Sequence, residues 1–276
     1  MKDLSNENII HIVEGNIQYI QFRKLLEYQE IIRHAFTLRE LDFGLRDKIE
    51  IDRIYRNNDI LCKSIGLDYK NIVKPYQTHT NEVKIIDKKI NADKPDMYLP
   101  EYKDTDGVIT NKEDLILATC NADCMLLLFF DPVKKVIANV HSGWKGAFAK
   151  IAEVTVEKMK KVYGSNPKDI ICCISPSIKK CHFEVEDDVK SQCEEAFCDN
   201  PYLAEIITKG KILEGKQKYH IDLVLITKTV LEEAGLKAGN IIDSKICSVC
   251  ESDYVHSFRA TGNHNFKHGT AVIGLK

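Results

Sequence analysis

Apolar residues near the N-terminus recur with two different periods. Alternating apolar and polar positions over residues 9–13 and 17–22 predict two strands, and the EGN segment at 14–16 predicts a hairpin turn between them. Residues 48–65 instead carry apolar side chains at helical spacing, and Gly66 follows them. This second segment is therefore predicted to form a helix that lies on the core.

Short apolar runs dominate the segment from residue 106 to residue 141. The runs VIT, LILAT, MLLLFF and KVIANVH predict buried strands separated by turns. Residues 145–163 then place their apolar side chains on one helical face, and Gly164 predicts the end of that helix. A further helix is predicted over residues 222–234 and a last strand over 270–275.

The whole pattern is that of one mixed α/β domain. The chain has no internal repeat, no low-complexity tract and no linker rich in proline, glycine or serine. Its 276 residues are 44% apolar, which is enough for a sizeable core. We therefore expect a single domain over residues 1–276, in which mixed β-sheets are covered by helices.

The charge balance excludes several classes of partner. The chain has 39 Lys plus Arg against 41 Asp plus Glu, a net charge of -2, so no overall positive field attracts nucleic acid or a membrane. Its apolar runs are far shorter than the roughly 20 residues that span a bilayer. The N-terminus lacks the features of a signal peptide, so we expect a cytoplasmic protein whose ten cysteines are reduced.

Three motifs place metal-binding side chains at the ends of predicted strands. They are QTHT around His79, CNADC ending at Cys124, and VHSGWKG around His141. A catalytic zinc site takes three protein ligands and keeps a fourth position for water, whose pKa falls to about 7. One Cys and two His therefore predict a single-metal reaction centre, beside which Trp144 offers a flat face to a heterocycle.

Each of these residues also has a simpler interpretation. An isolated His is more often a surface or core residue than a ligand, and Cys124 and Trp144 fit ordinary core packing. Spacing alone leaves the metal centre and the packing interpretation both open.

The order of the motifs resembles one known family. QTHTNEV, TDGVIT, NADC, HSGWKGAF, HFEV, CSVC and HSFRATG follow one another as in the laccase-domain family, from about Phe36 to the C-terminus. Its members are described as polyphenol oxidases, multicopper oxidoreductases or purine nucleoside phosphorylases. The resemblance puts the metal ligands on His79, Cys124 and His141, and it implies a fold similar to that of cysteine-hydrolase toxins.

The resemblance also implies an activity. Family members of this kind convert adenosine, inosine and methylthioadenosine, with phosphate, to a free base and a sugar 1-phosphate, and they deaminate adenosine. Phosphorolysis needs cations for the phosphate, and Arg39, Lys145 and Arg259 are the candidates. Deamination needs an activated water and a carboxylate that shuttles protons, for which Asp123 or Asp106 is expected.

Substrate contacts are thus expected from Arg39, Asp106, Trp144, Lys145 and Arg259. Catalysis is assigned to the three metal ligands with Arg39 and Asp123. No partner other than nucleosides and phosphate is expected, and the chain is expected to be a monomer or a small homo-oligomer.

Three departures from the family pattern concern the substrate more than the metal. Glu40-Leu41 replaces a glycine pair, Leu126 replaces a proline, and Ala260 replaces the second arginine of a pair. The missing basic contact would then fall to Lys267 or His268.

Copper oxidase chemistry on phenols is the first alternative, with Cu²⁺ in place of Zn²⁺. One Cys, two His and an axial Met form a blue-copper site, and Met125 follows Cys124 in the chain. None of the nine His residues forms the His-x-His pairs of a tri-copper cluster, which weakens this alternative.

Two further alternatives use cysteine. Cys124 could be a thiolate nucleophile with His141 as its base, in a hydrolase, and a role on peptidoglycan precursors stays open. The CSVC motif could form a structural zinc clip with the Cys172-Cys173 pair, or with His264 and His268, although buried thiols are the preferred interpretation.

Overall fold

Most of the apolar runs form β-strands. The computed structural model describes residues 2–45, 50–262 and 266–276. The strands are β1 (Ile9–Glu14), β2 (Ile17–Phe22), β3 (Ile32–Thr37), β4 (Ile72–Lys74), β5 (Val83–Ile85), β6 (Asp96–Met97), β7 (Gly107–Thr110), β8 (Ile116–Asn121), β9 (Met125–Asp131), β10 (Val136–Ser142), β11 (Ile171–Ile174), β12 (Glu184–Val185), β13 (Ile207–Leu213), β14 (Lys216–Ile221), β15 (Ile241–Asp243) and β16 (Gly269–Leu275).

Helices occupy the segments between these strands. They are α1 (Arg23–Leu26), α2 (Ile51–Ser64), α3 (Trp144–Phe148), α4 (Ile151–Tyr163), α5 (Asp187–Ala196), α6 (Leu203–Ile206), α7 (Leu223–Glu233) and α8 (Phe258–Thr261). Short 3-10 turns cover Tyr69–Asn71, Pro100–Tyr102 and Ala238–Asn240.

Two large sheets form the centre of the fold. One has the strand order β1-β2-β3-β16-β8-β4-β6, and the other has the order β15-β11-β9-β10-β7-β5. Both combine parallel and antiparallel neighbours. A three-stranded sheet, β12-β14-β13, is not paired with them but packs into the core on the helical side of the six-stranded sheet. The predicted mixed α/β class, with sheets covered by helices, is confirmed.

Side chains of β9 show how the layers stack. Successive residues of a strand point to opposite faces of its sheet. Leu126, Leu128 and Phe130 therefore join a core between the two large sheets, whereas Leu127 and Phe129 join a second core against α4 and α7. Because both faces of β9 are buried, its sequence is continuously apolar rather than alternating. A third core packs α2 on the outer face of the seven-stranded sheet.

One buried amide links the two large sheets. The side-chain amide of Asn139, on β10, donates to the backbone oxygens of Leu117 and Ala271, at 2.9 and 2.8 Å. Its oxygen accepts a hydrogen bond from the Thr119 hydroxyl. All of the polar atoms of this fully buried side chain are therefore paired, as buried amides require.

Several predicted elements agree with the structure and one does not. The N-terminal hairpin turns at Gly15, whose φ is 57°, and the predicted helices at 48–65 and 222–234 correspond to α2 and α7, although residues 48 and 49 lie outside the described residues. The single helix predicted over 145–163 is wrong. Lys150 has a left-handed backbone, with a φ of 53°, and it separates α3 from α4.

In the part of the chain that the structure describes, each helix is too short or too polar to cross a membrane. The assignment of all 276 residues to one domain stays a prediction.

We predict that His34 makes the fold sensitive to mild acid. Burial lowers the pKa of His34 to about 3, and its Nε2 accepts a hydrogen bond from Phe22 N at 2.7 Å. In the unfolded chain His34 is protonated below about pH 6.5, whereas in the folded chain it stays neutral. The free energy of unfolding therefore falls as the pH drops below 6.5. Between pH 7 and pH 5 the loss from this group is about 2 kcal/mol.

Urea unfolding of the wild type and of His34→Gln at both pH values tests this prediction. The glutamine oxygen can still accept from Phe22 N, so the variant should lose about 2 kcal/mol less than the wild type between the two pH values. Equal losses in the two proteins would contradict it.

Candidate metal centre

The three predicted metal ligands lie at one edge of the two large sheets. His79 follows β4 of the seven-stranded sheet and precedes β5 of the six-stranded sheet, and Cys124 lies in the turn between β8 and β9. His141 is close to the end of β10. Two of the three residues therefore lie where the chain passes from one sheet to the other, and the third ends a neighbouring strand.

The ligand atoms of these residues converge. His79 Nε2 lies 3.9 Å from Cys124 Sγ, and one ligand atom of each residue lies within 4.8 Å of the others. In a zinc tetrahedron the sulfur and a nitrogen are about 3.6 Å apart. One thiol and two imidazoles at these separations therefore fit a metal ion with a free coordination position.

Asp106 positions the imidazole of His141 and the backbone of His79. Its fully buried carboxylate accepts hydrogen bonds from His141 Nδ1 at 2.7 Å and from the backbone N–H groups of Thr78, His79 and Thr80 at 2.8 to 3.2 Å. The Thr80 hydroxyl donates a further bond. Since Asp106 occupies Nδ1, the other ring nitrogen of His141 is left for a metal, in the carboxylate–histidine arrangement common at zinc sites.

Electrostatics favour an ionised carboxylate and thiol at this centre. Burial would raise the pKa of Asp106, but the hydrogen bonds and charge of His141 and the bonds from Thr80 lower it to about 2. Burial also opposes ionisation of Cys124, yet the two imidazoles lower the pKa of its thiol. A thiolate is the form that binds metals.

Gly143 allows the loop after β10 to approach the ligands. A Cβ atom at this position would lie 2.7 Å from His79 Cδ2 and 3.1 Å from Cys124 Sγ. Both separations are shorter than ordinary contacts, so any side chain would push the ligands apart. Glycine is required here because there is no space for a side chain. Its backbone conformation is open to other residues, since the φ of Gly143 is -73°.

A cavity of about 460 Å³ opens beside the three ligands. This is within the range of about 300 to 1,000 Å³ of small-molecule sites. Most of its wall is apolar or aromatic, with several amide, carboxyl and imidazole groups. Besides the three ligands it is lined by Gln77, Cys120, Asn121, Ala122, Asp123, Trp144, Ile178, Phe183, Leu223, Phe258, Arg259, Phe266 and His268.

The predicted cationic residues differ in their positions. Arg259 lines the cavity, and its Nη1 donates to the backbone oxygens of His182 and Glu184 at 3.0 and 3.1 Å. Lys145 lies outside the described lining, with its Nζ 5.6 Å from the centre of the Trp144 ring. Arg39 is also outside it and donates to the backbone oxygen of Ser252.

The two predicted carboxylates bond to the protein itself. Asp106 is fully buried behind His141, which corrects the expectation that it contacts a substrate. Asp123 borders the cavity, but its oxygens accept bonds from Ser248 Oγ and Ser257 Oγ at 2.6 Å and from Arg259 N at 2.7 Å. Both oxygens of Asp123 therefore already accept hydrogen bonds from the protein, and its part in proton transfer stays a prediction.

Several lining residues were not singled out in the sequence. Gln77, Phe183 and Phe258 belong to the motifs QTHT, HFEV and HSFR, so their motif membership was the available signal. Gln77 exchanges two hydrogen bonds with the backbone of Cys120, at 2.8 and 2.9 Å. This pairing holds the loop that carries His79 against β8.

Met125 does not complete a blue-copper site. Its side chain is buried, packs in the core of the six-stranded sheet and contacts the Thr227 hydroxyl through sulfur at 3.6 Å. The Met125 side chain is thus committed to the core, whereas Cys124 lines the cavity. The position of Met125 therefore does not support the axial ligand that the copper alternative requires.

Comparison with known proteins agrees with this picture. Residues 33–275 match the family described as multi-copper polyphenol oxidoreductase laccase. The chain belongs to this laccase-domain family. The family implies a metal, and the three converging ligands are a set that could hold it.

Relatives in this family include proteins named for purine chemistry. The purine nucleoside phosphorylase YlmD of Bacillus subtilis is 31% identical over 79% of this chain and 76% of its own. The adenosine deaminase RL5 from an unknown prokaryotic organism is 30% identical over 77% and 78%. The crystal structure of the hypothetical protein YfiH of Bacillus licheniformis is 26% identical, with a TM-score of 0.81, and covers 96% of this chain and 99% of its own. These similarities support purine nucleoside chemistry at the level of the laccase-domain family.

The CSVC motif lies in a second group of metal-binding side chains. Cys247 and Cys250 approach Cys181 and His182, and one ligand atom of each lies within 4.8 Å of the others. The expected partners Cys172 and Cys173 are instead buried in β11, on opposite faces of the sheet. His264 lies outside the described residues. The preference for buried thiols is wrong for Cys250, which is exposed.

We predict that Asp106→Asn weakens zinc binding by about 10- to 100-fold, the usual cost of losing an outer carboxylate that orients a ligand. The asparagine side chain has the same size, but its NH2 group cannot accept the hydrogen bonds that one carboxylate oxygen of Asp106 accepts. Competition with a chromogenic chelator measures the affinity. Asp104→Asn is the matched control, because Asp104 bonds the Thr78 hydroxyl of the same loop. Equal affinities in the two variants would contradict the role of Asp106.

We also predict that Gly143→Ala lowers zinc affinity by at least about tenfold, because its Cβ displaces the ligand side chains. Gly239→Ala is the control, since a Cβ there meets nothing within 4 Å. Zinc content after dialysis against a weak chelator separates the two. Full retention of zinc by Gly143→Ala would contradict the prediction, because it would show that the loop after β10 can shift to make room for the Cβ.

Proposed function

We propose that the chain is a metal-dependent purine nucleoside phosphorylase that also deaminates adenosine. The observation that carries the proposal is the convergence of His79, Cys124 and His141 on a cavity with aromatic walls. The names of the relatives agree with it.

In this proposal the base lies among the aromatic side chains of the cavity. Trp144, Phe183, Phe258 and Phe266 line it from different segments of the chain. Flat apolar faces suit a purine, whereas polar groups of the lining, such as the second N–H of the Gln77 amide, can bond to its edge. The sugar would then face the three metal ligands.

Arg259 is the proposed phosphate contact. It is the arginine that borders the cavity in the described residues, and a guanidinium can bind phosphate through two N–H groups at once. The two carbonyl bonds from its Nη1 hold it in place. Lys145 and Arg39, which lie outside the lining, are proposed only to raise the positive potential near the entrance.

Phosphorolysis and deamination then share one cavity. In phosphorolysis a phosphate oxygen bonds to the anomeric carbon, the glycosidic C–N bond breaks, and the base leaves with the electron pair and takes the phosphate proton. In deamination a water oxygen bonds to purine C6, ammonia leaves, and the two protons of water pass to the departing nitrogen and the product ring. When bound, the metal supplies Lewis-acid activation of water for the second reaction.

Zinc is the proposed metal, because one thiolate and two imidazoles with an open position are a catalytic zinc set. Copper binds such ligands more tightly where it is available. The oxidase alternative loses support from the position of Met125.

A Cys-His hydrolase is the second candidate, favoured by the Cys124–His141 pair. Burial would lower the pKa of His141, but the Cys124 charge and the bonds from Asp106 raise it. In the metal-free protein this leaves a thiolate beside an imidazolium, which is an activated nucleophile. Removal of the metal distinguishes the two candidates. It abolishes the proposed phosphorylase and deaminase activities, whereas it frees the Cys124 thiolate for the hydrolase mechanism.

We expect zinc-loaded protein to convert adenosine, with phosphate, to adenine and ribose 1-phosphate, and more slowly to inosine. Cys124→Ala should lose both the zinc at this centre and at least about 100-fold in turnover, because it removes a ligand. Chromatography of the products, with and without phosphate, measures this. Cys198→Ser is the control, since Cys198 is exposed and belongs to neither ligand group.

Other outcomes would redirect the assignment. Inosine as the sole product, formed without phosphate, would remove the phosphorylase half. Turnover of phenols alone, with added copper, would establish the oxidase. Activity that survives zinc removal but is lost in Cys124→Ala would establish a thiol mechanism.

A further inference from the structure

The second ligand group joins two loops that are distant in sequence. The first loop follows β11 and turns sharply at Cys181 and His182, where the N–H groups of His182 and Phe183 both donate to Lys179 O at 2.9 Å. The second loop is the CSVC turn, closed by a hydrogen bond from Glu251 N to Cys247 O at 3.0 Å. Two cysteines separated by two residues in such a turn are typical of zinc sites.

The separations within this group match a tetrahedron. Cys181 Sγ lies 3.6 Å from Cys247 Sγ and 3.9 Å from Cys250 Sγ. His182 Nδ1 lies 3.2, 3.6 and 3.5 Å from the sulfurs of Cys181, Cys247 and Cys250. Around zinc, sulfurs are about 3.8 Å apart, and a sulfur and a nitrogen are about 3.6 Å apart. The thiols are not disulfide-bonded, since an S–S bond is about 2.05 Å long.

We propose that Cys181, His182, Cys247 and Cys250 form a second metal site, which holds a structural Zn²⁺. Four protein ligands complete a tetrahedron and leave no position for water, so this site is structural rather than catalytic. Three thiolates and one imidazole select zinc over the hard cations magnesium and calcium.

The backbone around the site is already arranged for a metal. Ser177 pairs with Cys247 in a β-bridge, in which Ser177 N donates to Ile246 O at 3.2 Å and Ser248 N donates to Ser177 O at 3.0 Å. The two loops are thus aligned by main-chain bonds. Ligands that are held in place by their own loops lose less conformational entropy when a metal binds.

The proposed zinc would stabilise one wall of the cavity. Ile178 and Phe183 line the cavity from the first loop, and Phe258 and Arg259 line it from the segment after the second. Asp123 joins the same loops, because its backbone oxygen accepts from Ile178 N at 2.7 Å. Its carboxylate accepts from Ser248, which lies between the two cysteines of CSVC. The second site would therefore fix the positions of residues that line the cavity and would take no part in the reaction.

Metal counting tests the proposal without any assay of activity. We expect the wild type, purified under reducing conditions from zinc-containing medium, to hold two zinc ions per chain by elemental analysis. Cys124→Ala should keep one ion and Cys124→Ala/Cys250→Ser should keep none. Cys198→Ser, an exposed cysteine outside both groups, should keep two. One ion in the wild type and none in Cys124→Ala would overturn the proposal.

Cobalt substitution gives a second measurement that does not depend on folding of the Cys250 variant. Cys124→Ala loaded with Co²⁺ should show the strong thiolate-to-cobalt absorption of a tetrahedral three-thiolate site. Failure of Cys124→Ala to bind Co²⁺ would overturn the proposal. A disulfide between Cys181 and Cys247 or Cys250 in protein purified with reductant, seen by mass spectrometry, would do the same.

Discussion

The carboxylate of Asp106 is the interaction on which the candidate metal centre depends. It bonds the Nδ1 of one ligand, His141, and the backbone N–H of the other, His79. The position of one histidine is therefore tied to that of the other through a single buried group. A buried carboxylate without these bonds would be costly, so the fold and the centre require each other.

Sheet topology explains why the ligands meet although they are distant in sequence. His79 and Cys124 each lie in a connection that leaves the seven-stranded sheet and enters the six-stranded one, and His141 lies at the end of a strand beside them. These two connections lie at the same ends of the strands as His141, where backbone groups are free of the sheet ladders and loops can approach each other. The cavity lies at this edge because the cores between and outside the sheets are filled by side chains.

Local patterns of the sequence predicted the hairpin, α2 and α7, since each depends on residues that are close in sequence. The three ligands are distant in sequence and were assigned through their motifs and the family resemblance, and their binding of a metal stays a prediction. The break at Lys150 was missed because one left-handed residue leaves the apolar period of the helix intact. The position of Arg39 could not be predicted from local patterns, because its side chain bonds to Ser252, more than two hundred residues away. The partners of CSVC were missed for the same reason: their proximity follows from tertiary structure, and no spacing rule links Cys181 to Cys247.

Asn139 has a consequence for how freely neighbouring strands can change. It accepts from one side chain, but its other two partners are main-chain oxygens, at residues 117 and 271. Every amino acid has such an oxygen, so mutations at these two positions alter packing volume while the alignment of the sheets persists. Sequence drift can therefore reshape the core between the two large sheets while residue 139 itself remains intolerant of replacement.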